Sequence, residues 1–149
     1  MDQKPQMYLN VKEQLVDFID APGFGSGLGS FAFHPEFETN GIFYTTHTEP
    51  SKTKTADFTL PQGVNSSLQW VLLEWKTDDP NQAIFYGSRR ELLRVDMVTQ
   101  IHGFQDLTFN PNAQPNSEDY GMLYLGIGDG GAALAGHPEI CGTTQSIWR

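Results

Sequence analysis

The chain has 149 residues, room for one ordinary domain, and its 38% hydrophobic and 12% aromatic content is enough for a packed core and too much for a disordered chain. A formal charge of −9 with only 9 Lys plus Arg sets nucleic acid and anionic lipid surfaces aside as partners, because most of the surface would repel them. No apolar run approaches the ~20 residues of a membrane helix, and the single cysteine, Cys141, allows neither an intrachain disulfide nor a cysteine-based zinc site.

Residues 1–5, Met1-Asp2-Gln3-Lys4-Pro5, have no apolar signal core behind them. The 15 Gly and 9 Pro fall between short apolar runs, which favours turns and short strands over helices. After glycines at 23, 25, 27 and 29 comes the first strong apolar segment, 31–34, and then 41–48, whose β-branched and aromatic residues read as a strand. The connection 35–40 is compact, so these two runs are expected to pair antiparallel. Residues 49–66 are polar and read as a long surface loop. The run 68–76 places Trp70, Leu72 and Glu74 on one face and Val71, Leu73 and Trp75 on the other. That is the pattern of a strand buried on both sides. A turn over 78–88 leads to a further short strand, 91–95.

A near-repeat follows. Phe31-Ala32-Phe33-His34-Pro35, then Asn40-Gly41-Ile42-Phe43-Tyr44, is echoed by Leu107-Thr108-Phe109-Asn110-Pro111, then Tyr120-Gly121-Met122-Leu123-Tyr124. Phe109 lies 76 positions after Phe33, more than the ~40–50 residues of a compact propeller blade, and the loops at 49–66 and 78–88 account for the excess. Four strands stand between the copies. The expectation is an all-β chain, one partial propeller domain over 1–149 of about one and a half blades, truncated at the C-terminus and at the N-terminus. An unfinished blade exposes strand edges, so self-association is expected through them.

Three segments, taken together, resemble the glucose/sorbosone dehydrogenase family, which includes the soluble aldose dehydrogenases that use pyrroloquinoline quinone (PQQ). They are Gly27-Leu28-Gly29-Ser30-Phe31-Ala32-Phe33-His34-Pro35-Glu36-Phe37 with Asn40-Gly41, Ser88-Arg89-Arg90-Glu91-Leu92-Leu93-Arg94-Val95 leading to His102, and Leu123-Tyr124-Leu125-Gly126-Ile127-Gly128-Asp129-Gly130-Gly131. The resemblance implies a six-bladed β-propeller, a periplasmic or secreted location, PQQ and calcium as cofactors, and a small sugar as substrate. It implies oxidation of an aldose's anomeric hydroxyl to a lactone. His102 matches the histidine that takes the hydroxyl proton, and Asp129 the aspartate that orients it. The residues that would hold the cofactor's carboxylates lie in later blades. The alternative reading is a non-catalytic propeller module that binds carbohydrate or protein.

On its own chemistry His102 is suited to accept a hydroxyl proton near neutral pH when a carboxylate orients it. The bland alternative is a turn histidine. Asp129 beside glycine is a common turn after a strand, and one carboxylate in that run does not make a calcium site. His34, before Pro35, reads as a turn cap, and His47 and His137 as surface residues. The four histidines are too scattered for zinc spacing. The glycines at 23–29 miss the dinucleotide-binding spacing at Leu28 and Ser30, no nucleophile elbow is present, and Asn65-Ser66-Ser67 is a chance-level glycosylation triplet. Trp70, Trp75, Phe43 and Tyr44 are expected in the core, with sugar stacking as the alternative.

Overall fold

The structure is a computed structural model and describes residues 5–21, 25–142 and 146–148. Gly23, the signal-core reading of the first four residues, and residues 143–145 and 149 lie outside the described residues. Two antiparallel sheets make up the fold. The first runs in chain order, β1 (Leu28–Phe33), β2 (Ile42–Pro50), β3 (Leu68–Thr77), β4 (Gly87–Met97), and the second likewise, β5 (Phe104–Phe109), β6 (Leu123–Ile127), β7 (Ser146–Trp148). Two single-turn helices, α1 (Val11–Gln14) and α2 (Phe37–Asn40), and a 3-10 turn at Pro138–Gly142 complete it. Among the described residues neither sheet closes on itself.

The alternation in β3 divides the core. Leu68, Trp70 and Leu72 pack with Leu93, Met97, Phe104, Leu107, Leu123 and Leu125 between the two sheets. Val71, Leu73 and Trp75 pack with Phe43 and Val11 on the far side, under Tyr8, Leu9, Leu15 and Phe18 of the N-terminal segment. A strand buried on both faces needs apolar side chains at consecutive positions, and β3 has them.

The near-repeat is a repeat of geometry. Phe33 opposes Phe43 and Ala32 opposes Tyr44 in the first hairpin; Phe109 opposes Leu123 and Thr108 opposes Tyr124 in the second. The register slips by one residue between Leu28 and Ser30, and again between Phe104 and Asp106, 76 positions later. Each hairpin thus carries a bulge at the equivalent place, at Gly29 and Gln105. The first bulge is where the sheets dock. A Cβ on Gly29 would stand 2.3 Å from the Phe104 carbonyl oxygen. Thr46 donates its hydroxyl to that same oxygen (2.7 Å) and accepts from the Ser30 N–H (2.9 Å), while Ser30 Oγ accepts from the Leu107 N–H (3.1 Å). Backbone approach explains Gly29 without any bound phosphate.

In the connection 35–40, His34 Nδ1 accepts from the Glu36 N–H (3.0 Å) and stands 2.8 Å from Asn40 Nδ2, while Asn40 Oδ1 accepts from the Ile42 N–H (2.8 Å). Gly41, at φ 67°, ends α2 and turns the chain into β2.

Three expectations are corrected. β4 is longer than 91–95, because pairing with β3 continues through the polar and charged residues Ser88–Arg90. The 49–66 loop begins later and is partly structural: β2 runs to Pro50, and Phe58 returns to form a parallel bridge to Val95. His47 is a buried residue. Its side chain is fully enclosed, stacks on Phe18 at 5.9 Å, and places Nε2 2.9 Å from Glu49 Oε1. Glu49 in turn faces Arg94 (Nη2–Oε2 2.7 Å), which is also completely buried and binds Glu91 (Nε–Oε1 2.8 Å) and Gln69 (Nη1–Oε1 2.7 Å). Glu49 between His47 and Arg94, with Glu91 and Gln69 beyond, explains how an arginine and a histidine sit inside a sheet, although the buried His47 Nδ1 has no hydrogen-bond partner among the described residues.

Candidate functional site

The chain leaves β4 at Met97, turns through 98–103 and enters β5 at Phe104. It leaves β6 at Ile127 and turns through a glycine-rich segment. Both turns lie at the same end of the second sheet, because Phe104 pairs with Ile127. His102 and Asp129, 27 positions apart in the chain, meet there, with Nδ1 2.9 Å from Oδ1. The His102 side chain is 56% exposed and that of Asp129 19%.

An ionised carboxylate only accepts hydrogen bonds, so this contact places the imidazole proton on Nδ1 and leaves the Nε2 lone pair as a base. Asp129 is itself held: Oδ1 accepts from the Gly131 N–H (3.0 Å) and Oδ2 from the Ala133 N–H (3.3 Å).

The backbone of His102 is unusual. Its φ is 55°, in the left-handed region that non-glycine residues rarely enter. Two contacts hold it there. The His102 carbonyl accepts from the Gly130 N–H (3.0 Å), and the Gly103 carbonyl accepts from the Gly128 N–H (3.2 Å). The approach is close enough that a Cβ on Gly128 would stand 2.2 Å from the His102 oxygen. Below the turn lies Trp70, fully buried; a Cβ on Gly103 would overlap its indole nitrogen at 1.8 Å. The glycines of this segment thus serve backbone packing around a histidine.

Asp129 also lines a hollow of about 310 Å³, with Phe58, Leu93, Val95, Met97 and Ile127. Its lining is mostly apolar and offers few partners to a polyhydroxylated ligand. Among the described residues no three His, Cys, Asp or Glu side chains converge where a cation could sit. Arg90 and Arg94, two of the cations of the second motif, are committed to Glu74 (2.6 Å) and to Glu49 and Glu91, and Arg89 lies over the Trp75 ring at 5.7 Å. His137 stands 3.3 Å from Glu139.

The sequence reading brought His102 and Asp129 forward, and the fold brings them together. What it missed was the buried set His47–Glu49–Arg94–Glu91. The only available signal was the alternation within β2, where His47 shares a face with Thr45 and Glu49, and that alternation does not distinguish a buried polar face from a wet one. No known family's sequence profile matches the chain, and no curated protein matches it.

Proposed function

We propose that the chain is part of an oxidoreductase that oxidises the anomeric hydroxyl of an aldose to a lactone, and that it contributes the general base. The observation that supports this most is the 2.9 Å contact between His102 Nδ1 and Asp129 Oδ1 on an open turn. In this reading the Nε2 lone pair takes the sugar hydroxyl proton, and the Asp129 carboxylate stabilises the imidazolium that results. The two sheets are then neighbouring blades of a propeller, docked face to face around Trp70. PQQ and calcium, implied by the resemblance, would need carboxylate-binding cations and an oxygen cage that the described residues do not bring together near His102. The proposal for this chain therefore stops at the proton step, and cofactor capture belongs to other segments.

The test is dye-linked aldose oxidation by the product of the complete coding frame, with PQQ and calcium supplied. His102→Ala should abolish turnover, and retained activity would overturn the role of His102. Absence of any change in quinone absorbance on mixing would remove the cofactor from the reading. The 149-residue chain alone should be inactive.

A further inference from the structure

One side chain reaches both turns of the candidate site. Thr99 sits three positions before His102, half-buried. Its N–H and its hydroxyl both donate to the Gly130 carbonyl, each at 2.8 Å. The same hydroxyl oxygen accepts from the Ile101 N–H at 3.4 Å. Thr99 Oγ1 therefore joins the residue just before His102 to the residue just after Asp129. Gly131 leaves room for it: a Cβ there would stand 2.1 Å from Oγ1 and 2.9 Å from Ile101 Cγ1. The hydrogen bond from Gly130 N–H back to the His102 carbonyl closes a ring of contacts in which the Thr99 hydroxyl, like the His102–Asp129 contact, is a polar side-chain link between the two turns.

We propose that Thr99 is a positioning residue for the His102–Asp129 pair, its hydroxyl setting the separation at which the carboxylate fixes the imidazole tautomer. The inference rests on the reading of that pair as a working base and carboxylate. Its physical basis is stiffness. His102 occupies a left-handed backbone conformation that is uncommon outside glycine, and the contacts around it hold it there. A hydroxyl with one donor and two lone pairs can hold two backbone strands at once, and valine, of the same shape, cannot.

The tautomer can be read without turnover. In the purified chain, nitrogen-15 chemical shifts of the His102 ring, recorded across neutral pH, separate Nδ1 from Nε2 when the proton is localised. The wild-type chain should show that separation and Asp129→Asn should lose it. Thr99→Val should also lose most of it, and Thr99→Ser, which restores the hydroxyl, should recover it. If Thr99→Val does not fold, Thr99→Ala with retained near-ultraviolet circular dichroism gives the same comparison. Full separation in folded Thr99→Val or Thr99→Ala, with loss in Asp129→Asn, would overturn the role of Thr99 and leave the pair intact. No separation in the wild type would overturn the pair and this inference with it. An equal loss of melting temperature in the valine and serine variants, with unchanged ring shifts, would make Thr99 merely structural and overturn the inference.

Discussion

Arg94 is the residue on which the most charge depends. Its guanidinium is wholly enclosed and meets Glu49, Glu91 and the Gln69 side chain. Burial works against its charge, but the hydrogen bonds and fields of Glu91 and Glu49 prevail and raise its proton affinity. The Arg94 hydrogen bond, opposed by burial and aided by Lys54, lowers the Glu91 carboxyl to about 2. Removing the cation would leave two carboxylates facing each other in a sheet, so Arg94→Ala should cost about 3–5 kcal/mol in chemical denaturation. A loss below about 1 kcal/mol would show the network to be wet. The pH dependence follows from the sign of the Glu91 shift. A depressed folded-state value contributes stability that is complete above the ordinary 4.5 and is lost as pH falls through the folded value near 2. Melting temperature should therefore fall steadily below about pH 4.5, and Glu91→Gln should flatten that part of the curve. At the site, Gly103 is pressed against the Trp70 indole, so Gly103→Ala should destabilise by about 1–3 kcal/mol and shift the tryptophan emission. None of this was visible in the letters around His47 or Arg94: a polar residue in a strand reads the same whether its face meets water or another polar residue.

At the level of elements, an edge strand has to be protected. β4 is the outer strand of the first sheet, and its two halves are protected differently. Arg89 and Arg90 make the first half unattractive to another strand. The second half is covered by the returning loop: the Asp57 and Phe58 N–H groups both donate to the Arg94 carbonyl (2.9 and 3.3 Å), and the Phe58 carbonyl accepts from the Asp96 N–H (3.0 Å). Asp57 Oδ2 adds a contact from the Arg94 N–H at 2.8 Å. Asp57→Ala should loosen this cover, speeding amide exchange at Arg94 and Asp96 while leaving β2 and β3 protected; unchanged exchange would mean that Phe58 alone holds the loop. Sequence pattern located six of the strand cores, since β-branched and aromatic runs bounded by Gly and Pro carry that signal. It undercounted β4 because charged residues on an exposed edge lack the apolar alternation that marks a strand. The bulges went unseen as well, although both lie inside the repeat, because a one-residue slip leaves no mark on composition.

For the whole molecule, the joint between the sheets is the feature that decides behaviour. Trp70, stacked on Phe104 at 5.9 Å, carries the packing beneath the His102 turn, and Thr46 and Ser30 bind the two backbones beside it. Trp70→Ala should cost about 3–5 kcal/mol and uncouple the second sheet from the first, seen as a second unfolding transition; a single transition of unchanged midpoint would argue against the joint. On the outer face of β1, Leu28, Phe31 and Phe33 remain 50%, 61% and 44% exposed. We expect concentration-dependent self-association in sedimentation from that surface and from the remaining open edges, and a monomer at high concentration would contradict it. By itself the sequence determined the all-β character, the repeat of two hairpins and the double-sided burial of β3, because periodicity and turn chemistry are local properties; the two residues of the candidate pair came from the resemblance of three motifs to a known family. Only the tertiary structure decided that His102 and Asp129 touch, that His47 and Arg94 are interior, and that Thr99 spans both turns. Those facts depend on which distant segments are brought within 3 Å of each other, and that is set by how the sheets dock.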